Sequence, residues 1–260
     1  MHNASLKCFG IGDGFPDATR GHSSFLYQLE GKSVLIDCGE PLTSRYHAAG
    51  LSYDLVDQLI LSHLHADHVG GFLMFMQALW LKKRQKNLPI KMPADGIVPV
   101  KAMLDAAYLF DELFEFQLNF SPLAAGETFH VGNIRITPCR TTHLDGFIPK
   151  FRAKYRQSFD SFCFLIETGK LRIGHSADLG EPEDLAPLVA QPLDLLVCEL
   201  AHFKVESLFQ FLAGRAIKKV VFIHLTKEGW QNQSQILADA AKALPHTQIS
   251  IAQPGETVTL

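Results

Sequence analysis

Four potential metal ligands lie within six positions of the run 62–71, in the pattern H-x-H-x-D-H. They are His63, His65, Asp67 and His68. Imidazoles suit zinc and other first-row divalent metals, and a carboxylate also accepts a harder ion. Because these ligands are too many for one open four-coordinate site, the run predicts two metal ions side by side. The alternative is a polar loop with chance histidines, since short motifs do misfire.

Further single ligands stand at the ends of separate apolar runs, each of which reads as a strand. They are Asp37 after 34–36, His143 after 134–142, Asp178 after 171–177 and His224 after 219–223. Loops at strand ends, held by a rigid sheet, commonly carry the residues of a catalytic site. Any one of these residues alone would be read as structural, but the ordered set predicts a metal site built from several strand ends.

The elements that must position these residues follow from hydrophobic periodicity. Apolar residues at helical spacing from Val69 to Trp80 predict a helix, with Lys82, Lys83 and Arg84 near its C-terminal end, where positive charge suits the helix dipole. Further helices are predicted over 204–213 and 232–244, and 88–121 is read as a strand followed by a helix over 100–113. Strands are predicted near 24–29, 33–37, 56–62, 128–137, 161–167, 170–175, 193–199, 219–223 and 248–251.

Composition limits the class of protein. The chain has 260 residues, of which 47% are hydrophobic, and neither repeats nor linker-like shifts interrupt it. Alternating strands and helices therefore indicate α/β layers in one domain, residues 1–260. A formal net charge of −3 argues against a sequence-independent nucleic-acid binder.

The expected location is the cytoplasm. No apolar stretch approaches the ~20 residues of a membrane span, and the first residues lack a signal-peptide pattern. The five cysteines have no C-x-x-C spacing and fall mostly within apolar runs, which predicts free thiols in a reducing compartment.

The ordered ligand set resembles the binuclear form of the metallo-β-lactamase fold superfamily, from residue 8 to about 225. The resemblance implies a four-layer αββα sandwich. It also implies that His63, His65 and His143 hold one metal, that Asp67, His68 and His224 hold the second, that Asp178 bridges them, and that Asp37 orients ligands. Two zinc ions are expected, with manganese or iron left open. True β-lactamases carry a cysteine where Asp178 stands, which disfavours antibiotic hydrolysis.

Within the superfamily, the segments 9–16, 20–24 and 35–40 are similar to the ribonuclease Z-like branch. That branch contains the tRNA 3′-end endonuclease and small phosphodiesterases that act on cyclic or nucleotide substrates. The segment 194–203 resembles a strand end that supplies an extra active-site histidine in ribonuclease Z, although His202 follows Glu199 here and the family order is reversed. A Gly/Pro-rich arm that clamps tRNA is also missing from the sequence. The resemblance therefore implies a small anionic substrate and disfavours tRNA.

The mechanism implied is attack by a water that two metals activate. Two divalent ions about 3.5–4 Å apart share a bridging water and lower its pKa, which gives hydroxide at neutral pH. Asp67 could aim this nucleophile while it ligates a metal. His202 is a candidate to protonate the leaving oxygen, and the alternative is that it satisfies a backbone carbonyl. His22, after the glycine-rich opening, is a further candidate to face the substrate.

A basic segment, residues 147–156, begins four residues after His143. Four basic residues alternate there with Phe151 and Tyr155, and they are Lys150, Arg152, Lys154 and Arg156. Guanidinium groups on phosphate and aromatic rings on a base could clamp an anionic substrate. The alternative is a solvated segment without a specific role.

The prediction is a binuclear metal-dependent hydrolase that cleaves a small nucleotide-like or cyclic phosphodiester through a metal-bridging hydroxide. One alternative is a thioester or lactone hydrolase on the same metals, which the context Thr141-Thr142-His143-Leu144-Asp145-Gly146 disfavours, because that branch usually shows H-T-P-G-H. The other is a non-hydrolytic protein resembling the pyrroloquinoline quinone accessory family. No membrane partner is expected, and a homodimer is left open.

Overall fold

A computed structural model describes residues 4–260 of the chain. Within this range the chain divides into two compact units. The first unit comprises residues 4–123 and 254–259, and the second comprises residues 124–253 with residue 260. Each unit contains one seven-stranded sheet and its own helices, so the predicted mixed α/β class is confirmed. That the whole chain forms one domain stays a prediction.

The sheet of the first unit is antiparallel at one end and parallel at the other. Its strands are β1 (Ser5–Gly10), β2 (Ser24–Leu29), β3 (Lys32–Ile36), β4 (Gln58–Ile60), β5 (Leu88–Met92), β6 (Leu118–Pro122) and β14 (Thr257–Thr259), in the order β14-β1-β2-β3-β4-β5-β6. The helices are α1 (Leu42–Ala48), α2 (Ala66–Val69), α3 (Phe72–Leu81) and α4 (Ile97–Ala106). Strands β3 to β6 run parallel, and helices cross over between them. Both Asp37 and the H-x-H-x-D-H run therefore follow the carboxyl ends of neighbouring strands.

The predicted helix after the histidines is α3, which buries Phe72, Phe75, Met76 and Leu79. It ends at Leu81, and of the three basic residues predicted near its C-terminal end, Arg84 also has another role. The Arg84 side chain is buried and donates hydrogen bonds to four backbone carbonyls, those of Tyr53, Val56, Lys86 and Asn87. A buried guanidinium needs acceptors for its donors, and the loops before β4 and after α3 supply them.

The sheet of the second unit carries parallel strands at the end opposite its hairpin. Its strands are β7 (Phe129–Val131), β8 (Ile134–Arg140), β9 (Phe162–Glu167), β10 (Arg172–His175), β11 (Leu193–Leu200), β12 (Ile217–Leu225) and β13 (Gln248–Ile251), in the order β13-β12-β11-β10-β9-β8-β7. The helices are α5 (Ile148–Phe151), α6 (Ala186–Val189), α7 (Val205–Leu212), α8 (Lys227–Gln231) and α9 (Gln233–Ala243). Strands β8 and β10 each pair antiparallel with β9, and β10 to β13 are parallel. The carboxyl ends of β8, β10, β11 and β12 therefore lie at one edge of this sheet.

Two stretches differ from the predicted elements. The strand predicted over 128–137 is a hairpin of β7 and β8, with Gly132 at φ 60° in its turn. The helix predicted over 100–113 is α4, which starts earlier and stops at Ala106. Tyr108 takes φ 59°, a left-handed conformation that a helix cannot continue through, and the strand β6 that follows was not predicted.

Residues 4–260 contain neither a disulfide nor a helix that could span a membrane. All five cysteines carry free thiols, and four of them are buried. No helix in this range combines the length and the apolar character needed to cross a lipid bilayer.

Candidate metal centre

The H-x-H-x-D-H residues form a cluster in the first unit, which we call the histidine run (His63, His65, Asp67 and His68). The first two histidines lie in the loop after β4, and the last two ligands lie on the single turn of α2. The ring of His63 has its centroid 4.8 Å from that of His65 and 4.1 Å from that of His68. Oδ2 of Asp67 lies 3.4 Å from Nε2 of His68. The structure thus brings all four predicted ligands of this run together.

Asp37 supports the histidine run from behind. It is fully buried directly after β3, and its backbone takes φ 63°, which Asp tolerates better than most residues. The backbone N–H and the hydroxyl of Ser62 donate to its two carboxylate oxygens, at 2.7 and 2.8 Å. Nδ1 of His68 lies 2.7 Å from Oδ2 of Asp37. A carboxylate on Nδ1 leaves Nε2 of His68 as the nitrogen that can bind a metal.

The glycine-rich opening of the chain packs beside Asp67. A Cβ added to Gly14 would lie 3.7 Å from Oδ2 of Asp67, and one added to Gly39 would clash with the Asp67 carbonyl oxygen and with His22. Nδ1 of His22 lies 2.8 Å from the carbonyl oxygen of Asp13, which makes this carbonyl the partner of the imidazole. His22 therefore borders the histidine run through its backbone, and its predicted contact with substrate stays a prediction.

The second unit gathers its predicted ligands and the predicted proton donor His202 around one carboxylate, and we call this set the Asp178 group (Asp178, His143, His202 and His224). Nε2 of His143 and Nε2 of His224 each lie 3.6 Å from Oδ2 of Asp178. Nε2 of His202 lies 3.8 Å from the same oxygen. The side chains of His143, His224 and Asp178 are buried, whereas that of His202 is 33% exposed. Since β8, β10, β11 and β12 end at one edge, residues far apart in sequence meet there.

A β-bulge aims His224. The strand prediction ended at Ile223, but β12 continues to Leu225, and its register with β11 shifts so that Glu199 faces Ile223 and Leu200 faces Leu225. His224 is the extra residue and takes φ 52°. Bulges redirect side chains next to functional sites, and such a backbone costs on the order of 1–3 kcal/mol. Ala177, directly before Asp178, is likewise at φ 46°.

Glu199 is a member of this region that the sequence reasoning did not assign. It is fully buried at the end of β11, and its Oε1 lies 2.9 Å from Nδ1 of His202. Its carboxylate also accepts hydrogen bonds from the backbone N–H groups of Leu179 and Ala201, at 2.8 and 2.7 Å. A glutamate inside an otherwise apolar strand was the available signal, because a buried carboxylate requires partners. The predicted candidate His202 is thus oriented by Glu199 and not by a backbone carbonyl.

Asp184 connects the loops that carry His143 and Asp178. Its Oδ2 accepts hydrogen bonds from the backbone N–H groups of Thr142 and Gly180, at 2.9 and 2.8 Å. The hydroxyl of Thr141 donates to the carbonyl oxygen of Asp178, at 2.9 Å. These bonds form a brace between the end of β8 and the loop after β10, so the positions of the two ligands depend on each other.

The basic segment 147–156 contains the short helix α5. Its four basic residues, Lys150, Arg152, Lys154 and Arg156, are all exposed. The rings of Phe147, Phe151 and Tyr155 follow one another at centroid distances of 5.9 and 6.2 Å. With Gln157 and Phe159 they line a shallow depression of about 300 Å³. The segment therefore offers cations and aromatic faces to solvent.

The spacing within each group fits divalent metal ions. Two ligands about 2.0–2.2 Å from one ion, at a tetrahedral angle, lie roughly 3.3–3.6 Å from each other. Oδ2 of Asp67 lies 3.4 Å from Nε2 of His68, and Oδ2 of Asp178 lies 3.6 Å from Nε2 of His143 and of His224. These three distances match the expected spacing. Imidazole and carboxylate donors are also the types that zinc binds.

Comparison with known proteins assigns the family. The model of the family described as "Anti-Pycsar protein Apyc1" matches residues 4–237. The chain belongs to this family. Among curated proteins, ribonuclease Z of Bradyrhizobium diazoefficiens is 23% identical over 95% of this chain and 97% of its own length. Ribonuclease Z of Metallosphaera sedula is 33% identical over 52% of this chain and 43% of its own length.

Solved structures agree on the fold. The metallo-β-lactamase fold protein YhfI from Bacillus subtilis has a TM-score of 0.76 and 18% identity, over 99% of both chains. The short form of human tRNase Z has a TM-score of 0.71 and 17% identity, over 98% of both chains. Zn²⁺-bound PqqB from Methylobacterium extorquens has a TM-score of 0.71 and 14% identity, over 98% of this chain and all of the other. The chain is therefore in the ribonuclease Z-like branch of the metallo-β-lactamase fold superfamily, as its resemblance implied, and a metal-dependent hydrolase is supported.

Proposed function

We propose that this protein is a binuclear metal-dependent hydrolase of small nucleotide-like or cyclic phosphodiesters. The observation that carries the proposal is the position of the Asp178 carboxylate. Two imidazole nitrogens, from His143 and His224, lie 3.6 Å from its Oδ2, which is the spacing of ligands that share an ion. His143 and His224 fall in two different groups of potential ligands that both contain Asp178, so this carboxylate is suited to bridge two ions.

The proposed ligand sets follow the superfamily resemblance. His63, His65 and His143 would hold one ion, Asp67, His68 and His224 the other, and Asp178 both. When bound, two such ions supply an activated water and stabilise the charge that develops on the phosphoryl oxygens. Zinc suits the donors best, and manganese or iron would be accepted by the same imidazoles and carboxylates.

The residues around the ligands perform the remaining tasks. Asp37 holds Nδ1 of His68 and so keeps Nε2 pointed outward for coordination. Glu199 holds Nδ1 of His202 in the same manner, which directs Nε2 of His202 towards the Asp178 carboxylate. An imidazole held in this way can deliver a proton from Nε2 to a leaving oxygen. Asp67 can accept a hydrogen bond from the attacking water and aim it.

The substrate class rests on charge and size. The chain carries a net charge of −3, so its surface as a whole does not attract a polyanion. The exposed cations of the basic segment are a local exception, and they alternate with aromatic rings. A substrate with one phosphodiester group and one base would bind its phosphate to the cations and stack its base on the aromatic rings.

The relatives named ribonuclease Z favour a second candidate, the cleavage of a tRNA precursor. A direct comparison of substrates tests both. Zinc-loaded and manganese-loaded protein would be assayed on bis(p-nitrophenyl) phosphate, on a set of cyclic nucleotides, on a tRNA precursor transcript, and on an acyl thioester and a lactone.

We expect hydrolysis of the small phosphodiesters, at a kcat/KM well above that for the transcript, the thioester or the lactone. His65→Ala should abolish this activity. His47→Ala, at an exposed histidine of α1, is the matched control and should retain it. Preferential cleavage of the transcript would favour the second candidate, and preferential cleavage of the thioester or lactone would overturn both.

A further inference from the structure

Two of the five cysteines face each other directly across a pair of strands in the second unit. In the antiparallel ladder of β8 and β9, Cys139 is the register partner of Cys163. Directly opposed residues of an antiparallel pair share a face of the sheet, with Cα atoms about 4.5–5.5 Å apart. A disulfide requires Cα atoms about 4.4–6.8 Å apart, so the backbone already has the geometry for one.

The two opposed thiols differ in character. The neighbouring Cys163 thiol lowers the pKa of Cys139, whereas the Cys139 thiol and burial together raise the pKa of Cys163 well above its usual value. Cys139 is half-buried, whereas Cys163 is fully buried. The more accessible thiol is therefore also the one whose thiolate is favoured, as a nucleophile requires.

The other three cysteines contrast with this pair. Cys8, Cys38 and Cys198 are all fully buried, and burial is the main cause that raises the pKa of each thiol, to about 12 for Cys8. Thiols of this kind are inert, because neither the thiolate nor access for a reagent is available.

We propose that Cys139 and Cys163 form a thiol–disulfide site, with Cys139 as the attacking thiol and Cys163 as the resolving thiol, and that its co-reactant is a small-molecule disulfide. Cys139 attacks one sulfur of the small disulfide, whose S–S bond breaks and releases one thiol. The Sγ of Cys163 then attacks the Sγ of Cys139 and releases the second small thiol. Two cysteine thiols are oxidised, one small disulfide is reduced, and the two cysteine protons pass to the released thiols.

The position of the pair links it to the brace of the Asp178 group. Sγ of Cys163 lies 3.8 Å from the carbonyl oxygen of Asp184, whose carboxylate holds the loops of His143 and Asp178. The ladder ends one pair further on, at Arg140 and Phe162. Directly beyond it, Thr141 and Ser161 are joined by a backbone hydrogen bond and by their hydroxyls, and the Thr141 hydroxyl also donates to the Asp178 carbonyl. A disulfide between Cys139 and Cys163 would thus lie close to the hydrogen bonds of Asp184 and Thr141 that form this brace. The inference does not depend on the proposed hydrolase activity.

The test uses the full chain, reduced and then freed of reductant, with oxidised glutathione as the probe. Intact mass should fall by two hydrogen atoms, and a peptide map without reduction should show a cross-link between the peptides of Cys139 and Cys163. Dithiothreitol should reverse the change. An absent cross-link, or one that joins any other cysteines, would overturn the proposal even before any variant is made.

Three variants separate the roles of the two thiols. Cys163→Ser should leave Cys139 as a stable adduct with one glutathione, because the resolving thiol is gone. Cys139→Ser should leave the protein unmodified, since Cys163 is buried. Cys8→Ser is the matched control and should form the cross-link as the parent does. Glutathione on Cys163 in the Cys139→Ser variant would contradict the assigned order of attack.

Discussion

Nδ1 of His68 lies 2.7 Å from Oδ2 of Asp37, and both side chains are buried. The carboxylate receives two further hydrogen bonds from Ser62, so its position is fixed independently of the histidine. This contact leaves Nε2 as the ring nitrogen of His68 that can coordinate a metal. Asp37 takes a left-handed backbone conformation at this position. Strained backbone conformations of this kind persist where the surrounding structure holds them, and they are concentrated at functional sites.

Replacing Asp37 with asparagine should therefore weaken metal binding. The amide keeps the size of the carboxylate but loses the charge that fixes the tautomer of His68, and such partners are typically worth about 10–100-fold in metal affinity. Competition with a chromogenic zinc chelator measures the change. Asp57→Asn is the control, because Asp57 also accepts a backbone hydrogen bond, from Ser33 in the same unit, and should leave zinc affinity unchanged. Equal affinities for the two variants would contradict the role of Asp37.

A second prediction concerns the number of metals. Protein purified without chelator, or reloaded with zinc or manganese, should bind about two ions per chain, because seven ligands exceed the needs of one catalytic ion. Elemental analysis against protein concentration gives this ratio. A ratio that stays at or below one after reloading would exclude the binuclear proposal.

Asp178→Ala should lose metal from both positions, as expected for a bridging ligand, and should abolish turnover. The fold should remain, since the buried apolar residues that form the cores of the two units do not include Asp178. Circular dichroism and elemental analysis of the same sample test the two halves of the statement. Asp194→Ala, at a partly exposed carboxylate of β11, is the control that should keep its metals. Full metal content in Asp178→Ala would show that the ligand assignment is wrong.

A fourth prediction concerns Glu199, which we regard as the residue that positions His202. Glu199→Gln keeps the size of the side chain and one of the two oxygens that accept from the N–H groups of Leu179 and Ala201, but removes the charge beside Nδ1 of His202. If His202 protonates the leaving oxygen, kcat should fall by about 10²–10⁴-fold, as for the loss of general acid catalysis. KM should change little.

The pH profile distinguishes this role from a structural one. Glu199→Gln should move or remove the alkaline limb of kcat, and a substrate with a good leaving group, such as p-nitrophenolate, should be affected less than one with a poor leaving group. Glu167→Gln, at a carboxylate of β9 that pairs with Arg172, is the control. An unchanged pH profile with a uniform loss of activity would favour a purely structural Glu199.

The candidate ligands could be picked out of the sequence because each one follows a recognisable apolar run, and whether they bind metal stays a prediction. Short, strongly apolar strands are readable from period and composition, and the order Asp37, histidine run, His143, Asp178, His224 needs only chain order. Glu199 was not assigned a role because it lies inside a run that reads as a buried strand. Its contact with His202 forms only where the chain turns after β11, and the sequence does not show this turn. The bulge at His224 was not predictable either, since one extra residue in a strand leaves no mark on periodicity.

Arg84 shows the same limit in the fold. Its place after an apolar helix predicted only a positive charge near the helix end, but Arg84 is buried and donates to four carbonyls of two loops. Arg84→Met should leave these acceptors unsatisfied and lower the free energy of unfolding by about 2–4 kcal/mol. Urea denaturation measures the loss, and Arg215→Met, at an exposed arginine, should cost far less. Comparable losses for the two variants would mean that water replaces the guanidinium.

The last prediction is that the basic segment governs substrate affinity and not the chemical step. Its cations are exposed, and a lysine or arginine holds a phosphate equally well in the ground state and the transition state. Neutralising Lys150, Arg152, Lys154 and Arg156 together should therefore raise KM for a small phosphodiester several-fold and leave kcat nearly constant. Added salt should have a smaller effect of the same kind on the parent protein, through screening.

A matched variant controls for net charge. Neutralising four exposed lysines elsewhere, Lys82, Lys83, Lys86 and Lys170, changes the charge of the chain equally and should leave KM unaltered. A neutral ester substrate should not respond to either change. A fall in kcat with constant KM would instead assign the segment to the catalytic machinery, because only an interaction made more strongly in the transition state affects kcat alone. Equal KM values for both quadruple variants would leave the four cations without a specific role.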